Sequence, residues 1–367
     1  MGSPDHVQRS LPSLPSYALV IPTLNERESL SALLGRIDGV PVIVVDDGSD
    51  DGTQEVVSDH PNAVLIERGR RMGLVSAYLD GMRSALESGA NYEYFAVMDG
   101  DGQHDPSLAS DMVRFASERG ADLVIGSRYV PGGDPGGFGP LRRTISRVAN
   151  TLFRLSFDAG VRDATSGYRV YSRRAVQYLL GHPPRNGGHA GQVEIVEILH
   201  SAGMRIAEFP MKFGRRRSGD SKLGAGEIWR YFLFVLTRGN LWKYALVGLS
   251  GVAVNEGLLA LLSSRLGYPI AADAVAVESS ILWNFLLNEF WTFRGRRLRR
   301  DVRGVLRRAY VHNAASLAGL AINLGVFALL SLLGVEILLA NLVGIVVAFA
   351  FRYLMSSGVV WLNEHVR

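Results

Sequence analysis

The segment Met98-Asp-Gly-Asp-Gly-Gln-His-Asp105 sets three hard oxygen donors, Asp99, Asp101 and Gln103, at steps of two. The glycines between them let the backbone turn tightly enough for those donors to converge. Magnesium or manganese suits such oxygens, and an ion of this kind also holds substrate phosphates. An acidic surface turn is the plain alternative, because Asp and Gly are common turn formers. Two further acidic stretches, Pro22-Thr-Leu-Asn-Glu26 and Val45-Asp-Asp-Gly-Ser-Asp-Asp-Gly-Thr53, favour the metal. Asp47 is placed to meet a ribose or base edge, a task of acidic residues in nucleotide folds. Asp50 and Thr53 read as turn formers or helix caps. Glu26 either touches a nucleotide base or opens the next helix as a favourable N-terminal charge.

These residues lie where short β-rich runs end. Tyr17–Ile21, Val42–Val45, Ala63–Ile66, Tyr94–Met98 and Asp122–Ile125 read as buried strands separated by segments of helical period. That alternation predicts an α/β fold with a mostly parallel sheet, whose ligands bind at the carboxyl ends of the strands. Residues 1–16 are polar, contain proline and lack an apolar core of the secretory kind, so they read as a flexible arm.

Past Trp229 the chain changes character. Residues 1–240 carry 27 Lys and Arg against 28 Asp and Glu, whereas 241–367 carry 12 against 7 and are rich in Leu, Val, Ala and Gly. Four apolar stretches, 243–265, 271–293, 310–334 and 337–361, are each long enough to cross a bilayer as a helix. The 294–308 loop holds eight arginines, while the links near 266–272 and 334–336 hold no Lys or Arg. The positive-inside rule therefore puts the basic loop, the catalytic half and the C-terminus in the cytoplasm. Residues 227–242 mix aromatics with Arg230 and Arg238, which suits a helix at the lipid headgroups or a linker helix against the soluble half. Asn255, Glu256, Glu278, Asn288, Glu289 and Arg352 fall inside the spans and are expected to pair between helices.

The chain has no cysteine, which excludes a disulfide scaffold, thiolate metal sites and a cysteine nucleophile. With 47% hydrophobic residues it is not a disordered chain, and no nucleic-acid partner is expected. An anion site is readable at Arg128, Arg142 and Ser146, the plain alternative being that Arg142 and Arg143 are solvated helix charges or touch lipid headgroups. Arg142 and Ser146, four apart, share one face of a helix after a glycine-rich loop, and arginine binds phosphate with a planar fork.

The motifs Pro22-Thr-Leu-Asn-Glu26, Asp46-Asp47-Gly-Ser, Asp99-Gly-Asp101-Gly-Gln103 and Gly126-Ser-Arg-Tyr129 resemble family-two glycosyltransferases, specifically dolichol-phosphate mannose synthases. Leu141 to Asn150, Asp163-Ala-Thr-Ser-Gly-Tyr-Arg169 and Arg216-Arg-Ser-Gly-Asp-Ser-Lys-Leu223 follow in that family's order. Lys243-Tyr-Ala-Leu-Val-Gly-Leu-Ser-Gly251 and Asn284 to Phe293 resemble the four-helix GtrA-like membrane domain. The resemblance implies a GT-A-like nucleotide-sugar domain over 17–226, an interfacial segment over 227–242 and a transmembrane domain over 243–367.

It further implies that Pro22, Leu24, Glu26, Val45 and Asp47 line the nucleoside pocket, and that Asp99, Gly100, Asp101 and Gln103 form the metal–diphosphate site. Arg216 and Lys222 would hold the donor phosphates. Lys222 is one of only three lysines among 39 basic residues, a compact point charge kept in an arginine-biased chain. Leu24 stands where an aromatic is common, which bears on base stacking. The implied reaction moves mannose from GDP-mannose to dolichyl or polyprenyl phosphate with inversion. Asp99, Asp101, Gln103 and Arg128 would be its catalytic groups, and Arg128, Arg142 and Ser146 would hold the acceptor phosphate. A UDP-glucose-dependent glucosyltransferase and a lipid-linked sugar translocator are the rival readings. A phosphate monoester has a second pKa near ~6 and is ionised at neutral pH, so no dedicated base is required and His104 reads as a bystander.

Overall fold

The computed structural model describes residues 14–157, 159–214, 224–266, 268–296, 298 and 301–362. Arg216 and Lys222 lie outside the described residues, as do most of the 1–16 arm and part of the arginine-rich loop. Contacts divide the chain into two compact units. One comprises residues up to Thr151 with Val161–Tyr231, and the other comprises Leu152–Gly160 with residues from Phe232 on.

In the first unit the elements run β1 (Tyr17–Thr23), α1 (Arg27–Leu34), β2 (Val42–Asp46), α2 (Thr53–Ser58), β3 (Ala63–Glu67), α3 (Leu74–Glu87), β4 (Tyr94–Val97), α4 (Leu108–Arg119) and β5 (Leu123–Ser127). Then follow α5 (Pro140–Phe157), β6 (Arg169–Ser172), α6 (Arg173–Gly181), α7 (Gly188–Ser201), β7 (Ile206–Pro210) and α8 (Ala225–Arg238), of which α5 from Leu152 and α8 from Phe232 belong to the second unit. The strands form one sheet in the order β3-β2-β1-β4-β6-β5-β7. All pairs are parallel except those of β6, which runs antiparallel to β4 and β5. The five strand runs read from the sequence are β1 to β5. The apolar runs of β1, β2, β4 and β5 are almost wholly buried because helices cover both faces of such a sheet, whereas β3, at the sheet edge, is only partly buried and exposes Val64.

β6 and β7 carry no such signal. β6 is four residues long and begins with Arg169, and β7 includes a glutamate and a proline. Arg169 is nevertheless fully buried, its guanidinium held by the carbonyls of Ala164, Ser166 and Gln192 at 2.6–2.8 Å. Strand order reverses at β1, which pairs in parallel with β2 on one side and β4 on the other. This switch opens a crevice at the strand ends where Pro22, Asp46 and Asp99 emerge.

The second unit holds α9 (Leu241–Leu266), α10 (Pro269–Leu287), α11 (Val302–Leu332) and α12 (Ile337–Met355), with a turn of π-helix closing α10 and another closing α12. Among the described residues, four helical spans here are long and apolar enough to cross a membrane, with mean hydropathy from 1.4 to 2.1. Their outward faces expose Leu249, Leu282, Leu324 and Val346, side chains that suit lipid and not water. Inside, Glu289 binds Arg308 through two bonds of 3.0 and 2.6 Å and accepts the Trp361 indole N–H at 2.7 Å. Asn313 donates to Glu278.

The expected pairing between helices thus holds for Glu278 and Glu289. It fails for Asn255, which bonds Glu256 on its own helix, and for Arg352, which has no hydrogen-bond partner among the described residues. Arg352 instead lays its aliphatic stem across Gly319 of α11.

Candidate active site

A cleft of about 660 Å³ opens at the carboxyl ends of β1, β2 and β4, and Asp99, Asp101 and Gln103 all line it. Gln103 donates its amide N–H to the carbonyl of Gly214 at 3.0 Å, which leaves its Oε1 as the acceptor. The Gln103 backbone N–H donates to Asp101 Oδ1 at 3.1 Å, so the turn fixes both residues at once. Asp99 is supported from below. The buried Tyr78 donates to Asp99 Oδ1 at 3.1 Å, and burial, reinforced by the Asp99 charge, raises the Tyr78 pKa well above its ordinary value. Tyr78 therefore stays a neutral donor.

Two glycines make this approach possible. A Cβ at Gly167 would sit 3.0 Å from Asp99 Oδ2, and one at Gly100 would sit 2.9 Å from Glu26 Oε2. The loop before β6 is thereby drawn against Asp99, and the first acidic stretch against the metal loop. Glu26 precedes α1 but its side chain makes no cap there; it lines the cleft instead, which favours ligand contact over the helix-opening role.

The Asp46-Asp47 loop is mostly self-supporting. Asp46 accepts from Ser49 and from the Gln54 amide. Asp51 holds both the N–H and the hydroxyl of Thr53 at the start of α2. Asp47 lines the cleft, yet both its oxygens are engaged. Arg68 Nη1 and the Met72 N–H donate to Oδ1 at 3.0 and 2.8 Å, and the Gly73 N–H donates to Oδ2 at 2.9 Å. Its first task in the fold is to clamp the chain that enters α3. Val45 is a correction. It is fully buried beneath α3 beside Gly81 and is not on the cleft wall, because its strand is covered on both faces. Pro22 and Leu24 do line the cleft.

His104 is buried against Tyr168 and Phe213, and its Nδ1 accepts the Asp99 backbone N–H at 3.3 Å. Burial pulls its pKa below the usual 6.5, so the neutral ring acts as a structural acceptor beneath the metal loop.

A second cavity, of about 100 Å³, contains all three residues of the anion set, Arg128, Arg142 and Ser146. Arg142 and Ser146 sit one turn apart on α5, as their spacing required. Arg128 is almost fully buried and forms a fork with Asp163, from Nε at 2.7 Å and Nη2 at 2.6 Å. Burial alone would lower the Arg128 pKa; the Asp163 charge more than offsets this and raises it. Phe138 lies between the two guanidinium groups, 4.8 Å from Arg128 and 4.3 Å from Arg142. Arg142, His189 and Glu227 line both this cavity and the cleft, so the two spaces adjoin.

Sequence reasoning assigned no role to Asp163, Tyr78, Gln192, Asn150 or Thr165. Asn150 and Thr165 complete the polar ring around Asp163. The one available signal was the motif beginning at Asp163; Tyr78 and Gln192 sit in ordinary helical runs.

A hard divalent cation fits this donor set as a partial shell. Two carboxylates and an amide oxygen face one polar space, and among the described residues no group of three or more His, Cys, Asp or Glu could hold an ion alone. The remaining ligands would be phosphate oxygens.

Residues 18–180 match the Glycosyl transferase family 2, and residues 243–361 match the GtrA/DPMS transmembrane domain. The chain is 36% identical over 366 residues to a dolichol-phosphate mannosyltransferase of Pyrococcus furiosus, spanning 94% of this chain and 99% of that protein. It is 36% identical over 219 residues to a polyprenol monophosphomannose synthase of Mycolicibacterium smegmatis, spanning 57% of this chain and 82% of that one. Against an undecaprenyl-phosphate mannosyltransferase of Micrococcus luteus the identity is 36% over 217 residues, spanning 57% and 88%. With both halves matched and one relative similar over nearly its whole length, the chain belongs to the dolichol-phosphate mannose synthase group of family-two glycosyltransferases, the form that carries a GtrA-type transmembrane domain.

Proposed function

We propose that this protein transfers mannose from GDP-mannose to a polyprenyl or dolichyl phosphate, inverting the anomeric carbon. The observation that carries this reading is the adjoining pair of spaces. A cleft with Asp99, Asp101 and Gln103 meets a cavity with Arg128, Arg142 and Ser146, and three residues line both. An oxygen of the lipid phosphate, already ionised, attacks the anomeric carbon while the bond to the nucleoside diphosphate breaks. Arg142 and Ser146 orient the acceptor phosphate, and Arg128, pinned by Asp163, presents its charge without having to reorganise. Asp99, Asp101 and Gln103 would hold magnesium or manganese, which would supply electrostatic stabilisation of the departing diphosphate. Arg216 and Lys222 are assigned to the same phosphates by family resemblance. His104 is enclosed and committed to the Asp99 backbone, which agrees with a reaction that needs no base.

The test is incubation of the purified protein with magnesium, polyprenyl phosphate and either GDP-mannose or UDP-glucose, followed by identification of the glycolipid. A mannolipid is expected. A glucolipid, or none with either donor, would overturn the assignment. The arginine-rich loop further supports a cytoplasmic catalytic unit. Arg300→Cys in this cysteine-free chain should resist labelling by an impermeant thiol reagent in sealed cells; labelling from outside would reverse the orientation.

A further inference from the structure

A line of buried polar groups runs from Asp99 to the junction of the two cavities. Tyr78 Oη lies 3.1 Å from Asp99 Oδ1, Gln192 Nε2 lies 2.9 Å from Tyr78 Oη, and His189 Nδ1 lies 3.3 Å from Gln192 Oε1. Its direction follows from proton bookkeeping. An ionised carboxylate only accepts, so Tyr78 gives Asp99 its single proton. The phenol oxygen then accepts from the Gln192 amide N–H, which turns the Gln192 carbonyl oxygen toward His189. Only an N–H at Nδ1 satisfies that oxygen, and a neutral imidazole has one such proton. His189 Nε2 is therefore left as a lone-pair acceptor.

The backbone of His189 is held as well. The His189 backbone N–H donates to Glu227 Oε2 at 3.2 Å, and Glu227 pairs with Arg230. Tyr78 and Gln192 are fully buried, whereas His189 is half-buried, and its Nε2 is not among the enclosed unpartnered atoms. It has no hydrogen-bond partner among the described residues, and His189 lines both the cleft and the cavity.

We propose that His189 is a specificity-determining residue whose Nε2 accepts a hydrogen bond from one hydroxyl of the transferred sugar. This inference rests on the functional reading above. In that reading the donor diphosphate lies on the Asp99 side and the acceptor phosphate on the Arg142 side, with the sugar between them. Ionised phosphate oxygens have no proton to offer a lone pair, so neither phosphate is the partner of Nε2. The sugar supplies hydroxyl donors at that junction. A site that bonds a hydroxyl discriminates against an analogue lacking it, because the acceptor, covered by the bound sugar, is then left unpaired.

The experiment measures kcat/KM of the full-length protein for GDP-mannose and for analogues deoxygenated singly at each sugar hydroxyl. The native protein should penalise one analogue by about tenfold or more. In His189→Phe that same analogue and GDP-mannose should react within about twofold of each other, and His189→Gln, which keeps an acceptor, should restore part of the preference. Binding of GDP alone, measured by calorimetry, reports folding and should be equal in all three proteins. If His189→Phe fails that check, His189→Ala supplies the same comparison. An unchanged pattern of preference across the whole series in the folded variant would overturn the proposal. Absence of mannolipid with the native protein overturns the functional reading instead, and a deoxy series built on the donor it does use applies the same two criteria to His189.

Discussion

Among the described residues two arginine–carboxylate pairs are buried and forked, Arg128 with Asp163 in the first unit and Arg308 with Glu289 in the second. Their chemistry is the same and both are nearly free of solvent. What lies beside them differs. Arg128 stands on a cavity wall with Phe138 and Arg142, and the wholly buried Asp163 behind it is tied to Thr165 and Asn150. Arg308 and Glu289 bridge α11 to the end of α10 and are closed off by the Trp361 indole. A buried ion pair is thus no sign of function by itself, since desolvation offsets much of its attraction wherever it sits. The adjoining space and a second positive group mark the first pair as part of a site. The second pair specifies how helix ends meet in a bundle whose apolar surfaces give little directional information.

The largest effect expected near the first pair falls on the metal loop. Asp101→Ala should lower transfer by roughly 10³-fold or more while the protein stays folded, because it removes one of two carboxylates on the diphosphate side. Full turnover in excess chelator would remove the metal from the account.

Breaking each pair sharpens the contrast. Glu289→Ala leaves Arg308 without its counter-charge and should cost about 3–5 kcal/mol of stability in detergent while leaving KM for both substrates unchanged in the folded fraction. Asp163→Ala should cost a similar amount and, in addition, reduce transfer per folded molecule. Equal kinetic damage from both substitutions, measured against the folded fraction, would show that the two pairs do not differ in function.

A smaller effect is expected at Arg142. Arg142→Ala should raise the KM for polyprenyl phosphate by about ten- to a hundredfold and leave GDP affinity nearly unchanged, as loss of one charge-assisted bond implies. Equal weakening of donor and acceptor would move Arg142 out of the acceptor site.

The smallest effect is on pH. His104 has a folded pKa below the unfolded 6.5, so as pH falls the unfolded chain takes up the proton first. The stability tied to His104 is fully present above 6.5 and is lost as pH falls below it. Glu208, whose carboxyl is raised by burial, acts in the opposite sense: its contribution falls as pH rises from about 4.5. Comparison with His104→Phe isolates the histidine. The native unfolding midpoint should drop more steeply than the variant's between about pH 7 and pH 5.5, and parallel slopes would show that His104 titrates normally.

Much of this architecture was written locally in the chain. Buried parallel strands must be continuous apolar runs, and bilayer spans must be long apolar helices, so β1 to β5 and the four spans were readable from residue type alone. Oxygen donors two apart in a glycine-rich turn, and Arg142 four residues before Ser146, are likewise short-range patterns, and all five residues line the adjoining spaces. Tertiary structure decided what depends on partners distant in sequence. β6 is a strand only because β4 and β5 flank it, and buried Arg169 is tolerated only because three carbonyls converge on it. Val45 left the pocket wall when α3 covered it. The line from Asp99 through Tyr78 and Gln192 to His189 joins residues up to 114 positions apart. No periodicity records such a line, because hydrogen bonding between remote side chains depends on where the sheet brings their helices and leaves no spacing in the sequence.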